Sequence, residues 1–259
     1  MDFRAQFTAD LKKVLRDIPW ILAAWEGGSA ATGRLDEYSD LDIQMICEDD
    51  RVEEAFVRIE DFLARHGIER RFRLPEPTWH GHSQCFYILE KAPPLFYLDL
   101  VVMAESSENN LLGESRHGVP VIWFDPKRLL DSGESGERGL AERAKKTFDI
   151  AVGYFDFACL EVRKQIARGS AVEAGYMYHS LIIRHLAPLL NLKYRPEKFD
   201  FGLRYAPHAY PEEVVGLLEY LLYPADIDGI EERLSRLERE FRSLSADASR
   251  SNSGKTLFE

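Results

Sequence analysis

Trp25-Glu-Gly-Gly-Ser-Ala-Ala-Thr-Gly-Arg-Leu-Asp-Glu-Tyr-Ser-Asp-Leu-Asp-Ile43 is the stretch whose reading organises the rest of the chain. A short apolar run, Ile21–Trp25, ends in Gly27, Gly28 and Ser29. A polar connection follows, and the chain then enters Asp40-Leu-Asp-Ile-Gln-Met-Ile46, which alternates in period two. That alternation predicts a strand. On a strand Asp40 and Asp42 share one face, and Leu41 and Ile43 the other. Two neighbouring carboxylates repel by roughly 3 kcal/mol at about 5 Å and an effective dielectric of about 20. A site that keeps them points to a cation between them, and hard carboxylate oxygens suit Mg²⁺. The Gly-Gly-Ser turn supplies a complementary half, because glycines let backbone approach a ligand and exposed N–H groups at a turn bind phosphate. A phosphate cradle followed by a metal-binding pair is the outline of a nucleotide site.

These residues resemble the nucleotidyltransferase superfamily, which contains DNA polymerase beta and the aminoglycoside nucleotidyltransferases. Its pattern is Gly-[Gly/Ser], a spacer, then Asp-x-[Asp/Glu] flanked by apolar residues. Here ten residues separate Ser29 from Asp40. The family also needs a third carboxylate on a later strand. Phe96–Val102 offers Asp99 inside an apolar run, where an unpartnered carboxylate is costly to bury. The likeness covers residues 20–104. It implies an α+β fold: an N-terminal mixed sheet with flanking helices, then a C-terminal helical bundle, with donor and acceptor in the cleft between them. It implies Mg²⁺-dependent transfer of a nucleoside monophosphate from an NTP to a hydroxyl of a small molecule, with release of pyrophosphate. Aminoglycosides are the family's best-known acceptors. Asp40, Asp42 and Asp99 would hold two Mg²⁺ ions, Gly27, Gly28 and Ser29 would cradle the phosphates, and Asp99 is a candidate base. Two alternatives stay open: a protein side chain as acceptor, or a module that binds nucleotide without turning it over.

Composition narrows the class. With 45% hydrophobic and 30% charged residues over 259 positions, the chain reads as soluble and globular, with room for one large or two modest domains. No apolar run is long enough to span a bilayer, and the N-terminus lacks a signal-peptide layout. Cys47, Cys85 and Cys159 are far apart and read as reduced cytosolic thiols, so a cytoplasmic location is expected. A net charge of −11 argues mildly against a nucleic-acid acceptor.

The remaining chain divides by pattern. Residues 2–17 have helical spacing and stop at Pro19. A helix is expected over 51–66, capped by Asp49 or Asp50 and stopped by Gly67. Strands are expected at Arg70–Leu74, Gln84–Leu89 and Leu95–Met103, with a short edge strand or buried turn at Val121–Phe124. Asp131–Gly136 reads as a linker. After it the pattern is helical: 138–168, 171–191, 211–222 and 226–245, with a basic-aromatic connection at 192–210. The expected domains are therefore 1–131 and 137–246, and 247–259 reads as a disordered polar tail. Lys193 and Arg195, in the basic-aromatic connection, are further candidates for phosphate contact. Arg34, Asp36 and Glu37 read as a solvated loop. His80 and His82, and His179 and His185, lack the spacing of a zinc set. Ser253-Gly-Lys-Thr256 imitates the end of a P-loop without its first glycine or a following helix, and is set aside.

Overall fold

The computed structural model describes residues 3–78, 80–107, 113–131 and 139–251. The chain forms two units, Met1–Arg138 and Gly139–Glu259. The first contains helix α1 (Phe3–Arg16), strand β1 (Ile21–Glu26), the single turn α2 (Gly28–Ala31), β2 (Leu41–Cys47), α3 (Val52–Leu63), β3 (Ile68–Arg73), β4 (Ser83–Leu89), β5 (Leu98–Ala104), α4 (Glu114–His117) and β6 (Val121–Phe124). Among the described residues the strands make one mixed sheet in the order β3-β4-β5-β2-β1-β6. β2 and β5 run parallel, and the other neighbours are antiparallel. Val121–Phe124 is thus an edge strand, paired with β1.

The period-two alternation sorts the residues of this sheet onto two faces. Leu41, Ile43 and Met45 of β2 and Leu98, Leu100 and Val102 of β5 are fully or almost fully buried on one face. Phe7, Leu11 and Leu15 of α1 and Phe56, Ile59 and Leu63 of α3 pack there. Removing each such side chain from water stabilises the fold by roughly 1.5–3 kcal/mol. On the opposite face Leu22, Trp25, Ile46, Val101 and Met103 form a smaller cluster with Leu130. That leaves Asp42 and Asp99 at its border.

Several local expectations shift. The polar spacer contains the one-turn α2. α3 has no side-chain cap; Asp49 instead accepts a hydrogen bond from Ser106 N–H at 2.8 Å. β5 starts at Leu98 because Leu95 has φ 72°, outside strand geometry.

The second unit is helical: α5 (Leu140–Ala167), α6 (Ala171–Leu181), α7 (Ala187–Tyr194), α8 (Ala206–Ala209), α9 (Glu212–Leu222) and α10 (Ile227–Ser251). The helix expected over 171–191 is interrupted by a π-helical segment at Ile182–Leu186. Pro188 has no N–H for the carbonyl of Arg184, so the regular ladder cannot continue there. Phe155, Val162, Tyr178, Leu186, Leu234 and Phe241 are among the residues of one core. The Phe155 and Phe241 rings stack, and Arg163 binds Glu238 through two bonds of 2.6 and 2.9 Å. α10 runs on to Ser251, into the segment expected to be disordered. Residues 252–259, with the P-loop imitation, and most of the expected linker lie outside the described residues.

Candidate active site

After β1 the chain turns at Gly27 and Gly28 directly over β2. Gly27 N–H donates to Asp42 O at 3.0 Å, extending the ladder by one step. Gly28 has φ +52°, and a Cβ there would fall 1.7 Å from Asp42 Oδ2; one on Gly27 would fall 2.9 Å from Gln44 Nε2. Only glycine allows the turn to lie this close to the carboxylate. Thr32 Oγ1 donates to Gly28 O at 3.1 Å, Arg34 N–H to Ser29 O at 2.8 Å and Val119 N–H to Ala31 O at 2.9 Å. These bonds hold the turn from three sides. Ser29 Oγ is buried and has no hydrogen-bond partner among the described residues. An orphaned hydroxyl beside glycine backbone is a donor suited to a phosphate oxygen.

Asp40 sits one residue ahead of β2, Asp42 is on β2, and Asp99 is the register partner of Asp42 on β5. Burial, foremost, and then the charges of Asp40, Asp99 and Glu26 push Asp42 up to about 7; Arg4 pulls the other way. Burial and then Asp40 also raise Asp99, against a hydrogen bond from Gln84 and the nearby His80. The Tyr97 phenol bonds Asp40, and burial together with the three aspartates raises its pKa. Three carboxylates on one face, two of them with raised pKa, are a hard, all-oxygen donor set deficient in positive charge. That set fits a divalent cation such as Mg²⁺. Among the described residues no group of three or more His, Cys, Asp or Glu side chains is placed to hold a metal ion, so the fit rests on the chemistry of the donor set.

Six residues around the triad, Arg4, Glu26, Tyr97, His80, His82 and Gln84, carry no motif, and their roles were not legible in the sequence. Arg4 of α1 pairs with the buried Glu26 and donates to Asp40 O at 3.0 Å, locking the start of β2. Tyr97 holds Asp40. A directed chain reaches Asp99 from the loop before β4. His82 N–H donates to His80 Nδ1 at 3.2 Å, so His80 Nε2 carries the proton and donates to Gln84 Oε1 at 2.9 Å. Gln84 Nε2 then donates to Asp99 Oδ1 at 2.7 Å. One oxygen of Asp99 is thereby fixed.

Lys193 and Arg195 lie in the second unit. Lys193 is exposed and 3.8 Å from Asp247. Arg195 is buried, and its guanidinium donates to Asn191 Oδ1 at 2.6 Å, Arg204 O at 2.7 Å, Gly202 O at 2.9 Å and Tyr210 OH at 3.3 Å. Arg195 braces the 192–210 connection; its donors are spent there and not on a phosphate. Asp36 accepts hydrogen bonds from Tyr38 N–H and Ser39 Oγ within its own loop.

Residues 10–95 match the family model of the nucleotidyltransferase domain. The chain carries a nucleotidyltransferase domain. The matched stretch holds the glycine turn, Asp40 and Asp42 of this domain, and Asp99 follows just beyond it. No curated protein matches the chain. The nucleotidyltransferase domain makes the protein an enzyme of nucleotidyl transfer with an NTP as substrate. No helix among the described residues is long and apolar enough to cross a membrane.

Proposed function

We propose that the protein transfers a nucleoside monophosphate from an NTP to a hydroxyl of a small molecule and releases pyrophosphate. One observation carries this reading. Gly27, Asp42 and Asp99 are successive members of one cross-strand row, so a phosphate cradle and two carboxylates meet without any rearrangement of the sheet. The Gly27–Ser29 turn binds the β- and γ-phosphates with backbone N–H groups and Ser29 Oγ. Asp40, Asp42 and Asp99 would hold divalent cations such as Mg²⁺. When bound, such cations neutralise phosphate oxygens and lower the pKa of the acceptor hydroxyl.

The hydroxyl oxygen forms a bond to the α-phosphorus as the bond from that phosphorus to the bridging oxygen breaks, and the electron pair leaves with pyrophosphate. The proton of the hydroxyl passes to a carboxylate of the site. Asp99 is the residue of choice, because Gln84 occupies one of its oxygens and leaves the other for the acceptor. Tyr97 and Arg4 keep Asp40 in place while charge shifts on the phosphates.

The test is pyrophosphate release from each of the four NTPs with Mg²⁺ and a panel of small hydroxylated acceptors, aminoglycosides included. Acceptor-dependent release that Asp42→Asn abolishes is the expected result. Equal release by wild type and Asp42→Asn would refute the assignment.

A further inference from the structure

The carboxylates are the middle of a longer pattern. Asp42 on β2 is the register partner of Asp99 on β5, Asp99 of Phe86 on β4, and Phe86 of Phe72 on β3. Register partners point to the same face. A second row lies two residues away on that face, with Asp40, Tyr97, Ile88 and, paired with Ile88, Arg70. Both rows begin at carboxylates and end on an apolar shelf.

That shelf lies open. Phe72 is 56% exposed, Ile88 42% and Tyr97 37%. Arg70, Phe72, Phe86, Ile88 and Tyr97 line a shallow groove of about 290 Å³, at the lower end of the size of small-molecule sites. Single exposed apolar residues are ordinary, but a contiguous patch in register with a reactive row marks a binding surface. Arg71 and Arg73, on the same strand, are ion-paired with Glu60, Glu53 and Glu76. Arg70 makes no ion pair among the described residues and stands at the far end of the groove.

In-line displacement decides what comes here. The leaving pyrophosphate rests on the Gly27–Ser29 side of the row, so the attacking hydroxyl enters from the opposite side of the phosphorus. Opposite that turn, past Asp99, lie Phe86 and Phe72. We propose that this shelf is the acceptor subsite, and that the acceptor is a small molecule with a flat apolar ring against Phe86 and Phe72, an anionic group at Arg70 and a hydroxyl at Asp99. Strand spacing places the ring about 5–10 Å from the carboxylate. A polycationic acceptor would bring its charge against Arg70, which disfavours aminoglycosides. The inference rests on the nucleotidyl-transfer reading for its direction, but its test measures binding and not transfer, so the two fail separately.

The test uses the full chain and three matched probes that differ only in charge: 4-(hydroxymethyl)benzoate, 4-(hydroxymethyl)benzamide and 4-(hydroxymethyl)benzylamine. Kd is measured for each by ligand-observed NMR, and Kd for a non-hydrolysable NTP with Mg²⁺ is measured separately. The benzoate is expected to bind about fivefold or more tightly than the benzylamine, with the benzamide between. Arg70→Glu is expected to reverse that order, and Phe72→Ala to weaken all three about threefold or more while leaving the NTP unchanged. Both side chains are exposed, so the variants keep the fold. Tighter binding of the benzylamine, no binding of any probe, or probe affinities indifferent to both variants would overturn the proposal. Loss of NTP affinity in Phe72→Ala would overturn it as well, by assigning the shelf to the nucleotide base.

Discussion

The two faces of the central sheet use the same alternation for opposite ends. On the closed face, Leu41, Ile43, Leu98 and Leu100 are sealed under α1 and α3. One residue over, Asp42, Asp99, Gln84 and Phe86 stand on the open face. The closed face gains stability from every atom it buries. The open face brings like charges together, leaves Ser29 Oγ without a hydrogen-bond partner among the described residues and keeps aromatic surface in water. Each of these features opposes folding and prepares a ligand site. The closed face, helped by the smaller cluster around Trp25 and Met103 at the border of the site, must therefore supply the stability that the carboxylates and the aromatic shelf do not, and it also fixes the register that aligns Asp42 with Asp99.

This contrast can be broken most sharply at Asp42. Asp42→Asn is expected to lower turnover at least about a thousandfold, an effect of about 4 kcal/mol on the barrier. The ligand-free protein should at the same time gain about 1–2 kcal/mol in stability, because one of several repelling carboxylates has become neutral. Steady-state kinetics beside urea unfolding reads both, and a variant that is inactive because it is unfolded would erase the distinction. The mirror experiment is Leu100→Ala on the closed face. It should cost about 2–5 kcal/mol in urea unfolding while the folded fraction keeps its turnover within about threefold.

Acid sharpens the comparison along the border of the site. His82 is buried, neither ring nitrogen has a hydrogen-bond partner among the described residues, and burial, followed by the neighbouring His80, lowers its pKa to about 4. An unfolded histidine titrates near 6.5. As pH falls from 6.5 towards 4, the unfolded chain takes up a proton that the folded protein refuses, so stability is lost across that window. At pH 5 the loss amounts to about 1–2 kcal/mol. Urea midpoints between pH 7.5 and pH 5 should fall less steeply in His82→Leu than in wild type; parallel slopes would show that His82 does not titrate as described. The smallest effect is expected at Gln84, which positions Asp99. Gln84→Leu should reduce kcat about tenfold with KM for the NTP unchanged, and Gln84→Asn should not restore it, because the shorter amide cannot reach both His80 and Asp99. A rise in KM alone would assign Gln84 to nucleotide binding.

The division between what the sequence shows and what it hides follows the same physics. Period-two alternation placed Asp40 and Asp42 across from Leu41 and Ile43, and the apolar run around Asp99 marked it as a carboxylate in need of company. The individual strands and the helical character after residue 138 were legible for the same reason, since hydrophobic period reports burial, whereas the mixed sheet was implied by the family resemblance alone. Arg4 was not legible, because its partner Glu26 and its acceptor at Asp40 are distant in sequence. The chain from His80 through Gln84 depends on register between β4 and β5, which no local pattern announces. Arg195 had the composition of a phosphate contact, yet its guanidinium is consumed by backbone carbonyls of its own connection. The shelf was invisible because Phe72 and Phe86 look like ordinary strand residues until pairing sets them in line with Asp99.

The parallel pairing of β2 with β5 has a consequence in time. Asp42 and Asp99 belong to strands separated by a helix and the whole β3–β4 hairpin, so their contact is among the most distant in sequence within the sheet. Contacts of long sequence separation close late, after local hairpins and helices have formed. The triad is therefore a product of the later steps of assembly, ahead only of the β1–β6 pairing, which spans a still longer stretch of sequence. During refolding, α1, α3 and the β3–β4 hairpin can form while the reactive row does not yet exist, and activity should return in a later kinetic phase than hairpin and helix formation.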